Sequence, residues 1–125
     1  MGLNKKYVEH PLIWPETVEA RLYQQKIAEK ACQKNTMVVL PTALGKTVIS
    51  TLAAAHFLCN HWDMKRLVMA PTRPLVLQHK DTFGKFLRIK AEYMVVLTGK
   101  VPSSYRKFLW EGDAKERFCR EKPYA

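Results

Sequence analysis

The sequence predicts a parallel α/β fold, a sheet with helices on both faces, and three observations predict it. Three short apolar runs, at residues 36–40, 66–70 and 92–97, are nearly continuous rather than alternating. Strands covered on both faces read that way. Stretches with apolar residues at spacings of three and four lie between these runs, and their lengths suit crossovers between parallel strands. Between the first run and a long amphipathic stretch stands Gly45-Lys46-Thr47. Strand, tight loop and helix, with Lys and Thr at the helix start, is the layout of a phosphate-binding loop.

Residues 1–15, MGLNKKYVEHPLIWP, predict an extended lead-in, because Pro11 and Pro15 oppose helix and bias the residues before them away from it. Leu12, Ile13 and Trp14 are apolar enough to lie on the domain. A helix is expected over 16–34: Pro15 precedes it, Thr17 is a capping type, and Asn35 is a reasonable stop. Ala20, Tyr23, Ile27 and Ala31 would form its buried face. The first strand, 36–40, leads through the loop into a helix over 46–60, whose Ala53, Ala54 and Ala55 suggest tight packing between other elements. A polar turn follows at 60–65, then the second strand at 66–70 and a stiff turn, Pro71-Thr72-Arg73-Pro74. The next helix is expected over 75–87, weakened near its end by Gly84. The third strand, 92–97, runs into Thr98-Gly99-Lys100, and a short helix from Pro102 and Ser103 to about Trp110 closes the pattern. From Glu111 the character changes to EGDAKERFCREKPYA, in which eight of fifteen residues are charged.

The chain has 125 residues, the size of one domain. Its 21 Lys and Arg against 11 Asp and Glu give a net charge of +10. That balance points to a polyanionic partner, nucleic acid above all, with a merely solubilising surface as the alternative. Cys32, Cys59 and Cys119 are odd in number and far apart, with no Cys-x-x-Cys spacing, so reduced thiols in a cytoplasmic protein are expected. The histidines fall into no metal-ligand spacing. No apolar run is long enough to span a bilayer, and the N-terminus lacks the apolar stretch of a signal peptide. A membrane is therefore not expected among the partners.

A polyphosphate carries several negative charges and many acceptor oxygens. Unpaired N–H groups at a helix N-terminus, backed by the positive end of the helix dipole, match it. Gly45 has no Cβ and lets the backbone approach; Lys46 would reach the outer phosphates; the Thr47 hydroxyl would be a ligand of the accompanying Mg²⁺. The strict pattern asks for glycine five residues before Gly45, where this chain has Leu40. The plain alternative is a loop that ends in a helix cap.

Four pieces, in order, resemble the superfamily 2 helicases, most closely the Hef/FANCM-type DNA helicases of archaea and eukaryotes. RLYQ, from Arg21 to Gln24, is like the adenine-recognising element of that family; LPTALGKT, from Leu40 to Thr47, looks like its motif I; APTRPLVLQH, from Ala70 to His79, is very similar to its motif Ia; LTGK, from Leu97 to Lys100, is similar to its next strand-end element. The resemblance covers about residues 8 to 110 and implies part of a RecA-like (P-loop NTPase) domain. It implies an ATP site with Mg²⁺ built from Arg21, Gln24, Leu40, Pro41, Thr42, Ala43, Leu44, Gly45, Lys46 and Thr47, with Lys46 as the catalytic residue and Thr47 on the metal. It implies DNA contacts, to single or branched strands, from Pro71, Thr72, Arg73, Thr98, Gly99 and Lys100. The chemistry is legible beside it. The Gln24 amide carries both donors and an acceptor and can read an adenine edge, with Arg21 or Tyr23 packed or stacked nearby. A short hydroxyl and a guanidinium at a strand end suit phosphate contacts, which give salt-dependent binding with little sequence preference.

Two departures stand out. Ala43 occupies a position where the family usually has glycine, which would crowd the loop slightly. The family also continues with an acidic Asp-Glu-x-His motif and a second RecA-like domain, and neither occurs in these 125 residues. Phosphoryl transfer depends on positioned metal, oriented water and charge stabilisation, so hydrolysis by this chain alone is expected to be very slow or absent. The organisation expected is a lead-in over 1–15, a partial helicase ATP-binding domain over 16–110 and a divergent charged tail over 111–125, as from an interrupted reading frame. The function expected is the ATP-binding N-terminal part of a DNA helicase or translocase. The alternatives are a basic nucleic-acid-binding chain that uses no nucleotide and, more distantly, an unrelated P-loop ATPase or kinase.

Overall fold

Apolar residues of the lead-in, not of the three apolar runs, make the centre of this molecule. A computed structural model describes residues 6–41 and 44–111. Leu12, Ile13 and Val18 are buried with Ala55, Phe83 and Leu87 in one cluster, and Val48, Leu52, Leu58, Phe86 and Met94 pack against it. Leu12 is fully enclosed; removing a leucine side chain from water is worth about 2 kcal/mol. The backbone explains how an extended segment reaches the core. The Val8 N–H donates to the Val18 carbonyl at 2.8 Å and the Ala20 N–H to the Lys6 carbonyl at 2.7 Å, folding the lead-in back on itself. Its tip then docks on the far helix end: the Trp14 N–H donates to Phe86 O at 3.0 Å and the Arg88 N–H to Leu12 O at 2.6 Å.

This hairpin displaces the expected start of the first helix. α1 spans Leu22–Gln33, not 16–34. Glu16 lies in the turn with φ 60°, the Thr17 hydroxyl donates to Trp14 O at 2.6 Å instead of capping a helix, and Glu19 bridges to Tyr7. The buried residues of α1 are Gln24 and Ala28, one position round from the expected Tyr23–Ile27 face. α2 spans Lys46–Asn60, as the periodicity predicts, and packs along α1. α3 spans Arg73–Phe86, starting earlier than expected because Thr72 is its cap, with Pro74 in the first turn where a missing N–H costs nothing. α4 spans Ser103–Glu111.

The residues between helices hold helix ends. Arg66 donates to Phe57 O at 2.7 Å and His61 O at 3.0 Å, closing the C-terminus of α2, where a cation also meets the negative end of the dipole. Partial burial lowers the Arg66 pKa from its ordinary value, against the opposing pull of Asp63. Lys65 donates to Leu109 O at 2.9 Å and Trp110 O at 2.5 Å, doing the same for α4.

The parallel sheet is the point of difference from the sequence. Among the described residues, β pairing is confined to two isolated antiparallel bridges, Tyr7 with Glu19 and Ile13 with Leu87. No ladder joins 36–40, 66–70 and 92–97, and Ala91–Tyr93 is a 3-10 turn, so the third apolar run begins only at Met94. A strand has no hydrogen bonds of its own and exists only in register with a neighbour. Met37, Val39 and Met69 are consequently more than four-fifths exposed.

Candidate nucleotide-binding site

The loop before α2 is shaped by one glycine and one carbonyl. The Leu44 N–H donates to Pro41 O at 3.1 Å, closing a tight turn. Gly45 follows with φ 73° and ψ 51°, left-handed, and is the N-cap of α2. It brings no side chain to the N–H groups of the first helical turn, which are the donors an anion uses. A Cβ placed on Gly45 would lie 2.5 Å from Gln24 Nε2, so the position needs glycine for its φ and for its clearance. Left-handed Gly45 followed by helical Lys46 forms the backbone concavity that binds anions elsewhere. Lys46 is exposed and Thr47 half-buried. Behind them the Thr51 hydroxyl, fully buried, donates to Thr47 O at 2.9 Å, and Ser50 to Lys46 O at 3.3 Å.

α1 meets this loop at the Leu44 carbonyl. That oxygen accepts from Tyr23 Oη at 2.9 Å and from Gln24 Nε2 at 3.1 Å. Gln24 is 3% exposed. Arg21 is the N-cap residue of α1, exposed, with a guanidinium nitrogen 3.7 Å from Glu19 Oε2. Its hydrogen bond with Tyr23, and then the Glu19 carboxylate, hold its pKa above the ordinary value. Of the nucleotide residues expected from the sequence, Gln24, Leu44 and Gly45 thus touch one another; Leu40 and Pro41 precede them; Arg21 adjoins through Tyr23. Thr42 and Ala43 lie outside the described residues. The role of Tyr23 was missed in the sequence, where nothing indicates that a helix hydroxyl faces a carbonyl 21 positions on.

The residues expected from the sequence to contact nucleic acid are arranged differently. The Thr72 hydroxyl accepts from the Leu75 N–H at 3.5 Å and still has its own hydrogen to donate. Pro71 and Arg73 flank it in the open. Thr98, Gly99 and Lys100 form a turn closed by the Val101 N–H on Thr98 O at 3.0 Å, and a Cβ at Gly99 would meet nothing within 4 Å. Among the described residues, each group is held by its own local turn.

A second concavity, about 450 Å³, lies between α1, α2 and the lead-in, lined among others by His10, Glu29, Cys32, Leu52 and His56. Burial first, and His56 second, lowers the His10 pKa below 6.5. Burial raises that of the Cys32 thiol, aided by Glu29. Among the described residues, no group of three or more His, Cys, Asp or Glu is placed to hold a metal ion, and no helix is long and apolar enough to cross a membrane.

The family described as DEAD/DEAH box helicase matches residues 21–117. The "Putative ATP-dependent RNA helicase MJ1505" of Methanocaldococcus jannaschii is 47% identical over 105 residues, 84% of this chain and 13% of that protein. The "DEAD-box ATP-dependent DNA helicase Fancm" of Drosophila melanogaster is 43% identical over 101 residues, 81% of this chain and 7% of that protein. The "ATP-dependent DNA helicase fml1" of Schizosaccharomyces pombe is 38% identical over 96 residues, 75% of this chain and 11% of that protein. The chain therefore spans 13% or less of the length of these relatives. No solved structure matches it.

Proposed function

The chain belongs to the DEAD/DEAH box helicase family, and from that premise we propose that it is the ATP-binding part of a DNA helicase or translocase of the Hef/FANCM type. One observation carries the reading: a left-handed glycine that leaves the first N–H groups of α2 uncapped, directly before Lys46 and Thr47. That is a site for the phosphates of a nucleotide. In this proposal Lys46 neutralises the outer phosphates, Leu40, Pro41, Thr42, Ala43 and Leu44 wrap them, and Arg21 and Gln24 face the base. Gln24 spends one N–H on Leu44 and has the chemistry for a base edge in its remaining N–H and carbonyl. The donor set also fits Mg²⁺: a hard cation takes oxygen ligands, and the Thr47 hydroxyl stands one residue into α2 beside the phosphate position. Bound there, the ion would neutralise phosphate charge.

The same reading takes 36–40, 66–70 and 94–97 as strands of a parallel, RecA-like sheet with helices on both faces. The apolar side chains they expose are suited to such cover. Pro71, Thr72, Arg73, Thr98, Gly99 and Lys100 then form an edge for nucleic-acid backbone, drawn in by the net charge of +10. Two of the three relatives described carry "DNA helicase" in their names and the third "RNA helicase", so both strands belong in the binding assay. No acidic Asp-Glu-x-His motif occurs in the chain, and hydrolysis by these 125 residues alone is proposed to be very slow or absent.

The test is equilibrium binding of a fluorescent ATP analogue with Mg²⁺, comparing the chain with Lys46→Ala. Saturable binding lost in the variant is the expected result. No saturable binding by either would transfer the assignment to a basic nucleic-acid-binding chain that uses no nucleotide, the alternative that the net charge of +10 supports.

A further inference from the structure

The Leu44 carbonyl is the only loop group that α1 grips from two adjacent positions among the described residues. A carbonyl oxygen has two lone pairs, and here Tyr23 Oη fills one at 2.9 Å and Gln24 Nε2 the other at 3.1 Å. A trans peptide is planar, so its C=O and the following N–H point in opposite directions. Drawing the Leu44 carbonyl toward α1 therefore turns the Gly45 N–H away from α1, into the concavity that opens α2. We propose that Tyr23 is a positioning residue of the phosphate loop: its hydroxyl fixes the Leu44–Gly45 peptide plane, and with it the aim of the Gly45 N–H, without touching the base. The inference rests on the nucleotide reading above and deepens it.

The geometry separates this role from stacking. Stacking would use the ring face and ask nothing of the hydroxyl. Tyr23 instead commits the hydroxyl to a carbonyl 21 residues away, and the ring is half-buried between that bond and α1. Gln24 alone can hold the carbonyl by one bond; the second bond removes the freedom to rotate about it. The αL conformation of Gly45, open to glycine in either direction of flip, is what makes a second anchor useful.

The experiment compares the chain with Tyr23→Phe and Tyr23→Leu, measuring affinity for a fluorescent ATP analogue with Mg²⁺ and, by competition, for inorganic tripolyphosphate. Tyr23→Phe keeps the ring and removes one hydrogen bond. It is expected to weaken both ligands by the same factor, about threefold to tenfold, with the thermal midpoint of the unliganded protein little changed. Tyr23→Phe without effect on either ligand overturns the proposal, as does loss confined to the ATP analogue in Tyr23→Leu, which would mean contact with the base. Lys46→Ala runs beside them as the control for the nucleotide reading itself. Should that control bind as well as the parent, amide hydrogen exchange in the unliganded chain decides the clamp. Faster exchange in Tyr23→Phe at Leu44, Val48 and Ile49, whose N–H groups donate to Pro41 O and Gly45 O, with the second half of α2 unchanged, supports it; unchanged exchange sinks it.

Discussion

The two halves of the candidate site are built on opposite plans. The nucleotide loop is fixed from a distance: Tyr23 and Gln24, on another helix, hold its Leu44 carbonyl, and Gly45 has no room for a Cβ. Among the described residues, the proposed nucleic-acid edge is fixed locally, Thr72 through its own helix cap and Thr98 through its own turn, with open space around Gly99. The difference would suit the two ligands proposed. A polyphosphate in a cradle needs N–H groups aimed within a few tenths of an ångström, so the loop must be organised before binding. A sugar–phosphate backbone of any sequence needs charge within reach, which flexible surface residues supply.

The strongest way to break the comparison is to remove the support the preorganised half stands on. Leu12→Ala empties a fully enclosed site shared by the lead-in, α2 and α3. Such cavities cost about 2–5 kcal/mol, and chemical denaturation should find a loss in that range. Because the hairpin also leads into α1, ATP-analogue binding should fall with it, whereas binding to single-stranded DNA at low salt should fall less. A change below about 1 kcal/mol would mean the lead-in is not part of the core. Gly45→Ala is next. The left-handed φ of 73° and the 2.5 Å approach to Gln24 Nε2 act together, at about 1–3 kcal/mol. Analogue affinity is expected to drop at least tenfold, with DNA binding unchanged. Equal affinity would show that the loop relaxes readily and is not preorganised.

The edge half is sharpened by salt. Replacing Arg73 or Lys100 by alanine should lower DNA affinity without regard to sequence. Each should reduce the slope of log affinity against log salt by about 0.7 for single strands, while leaving ATP-analogue binding as it was. Slopes that stay the same would remove these two residues from the interface.

How much of this was legible in the sequence divides along the same line. α2 was readable to the residue, because Gly45 marks its start and its apolar spacing is regular. The tight loop before it was readable for the same local reason, and Gly45 is its left-handed N-cap; the phosphate role of Gly45, Lys46 and Thr47 is the proposal that rests on it. The start of α1 was not. Thr17 is a capping type after a proline, but long-range pairing of Val8 with Val18 outweighs a local cap worth about 1 kcal/mol. The core was not readable either: Leu12 and Ile13 sit in a Pro-flanked stretch with no periodicity, and only the closing of the hairpin reveals that they face inward. The three apolar runs were read as sheet from their composition. Composition says what a strand would bury and not which neighbour it pairs with, and among the described residues those runs remain open. Arg66 and Lys65, taken for the start of a strand and part of a turn, are helix caps whose acceptors lie up to 45 positions away.

The smallest effect concerns His10, inside the lead-in hairpin. The Leu12 N–H donates to His10 Nδ1 at 3.0 Å, and a ring nitrogen that accepts must be unprotonated. Burial, with His56 as the second cause, already holds the His10 pKa below the ordinary 6.5. The unfolded chain therefore takes up this proton at a higher pH than the folded one. Between those two values the unfolded state binds more protons, so stability rises with pH there and falls as the solution is acidified. The contribution is complete above about pH 7 and is lost progressively below 6.5, until the folded form is protonated as well. Urea midpoints at pH 8 and pH 5.5 measure it. The parent should lose more stability on acidification than His10→Gln, whose amide oxygen can accept from Leu12 at any pH. Equal losses would mean that the acid sensitivity lies elsewhere and that the His10–Leu12 bond does not hold the hairpin that leads into α1.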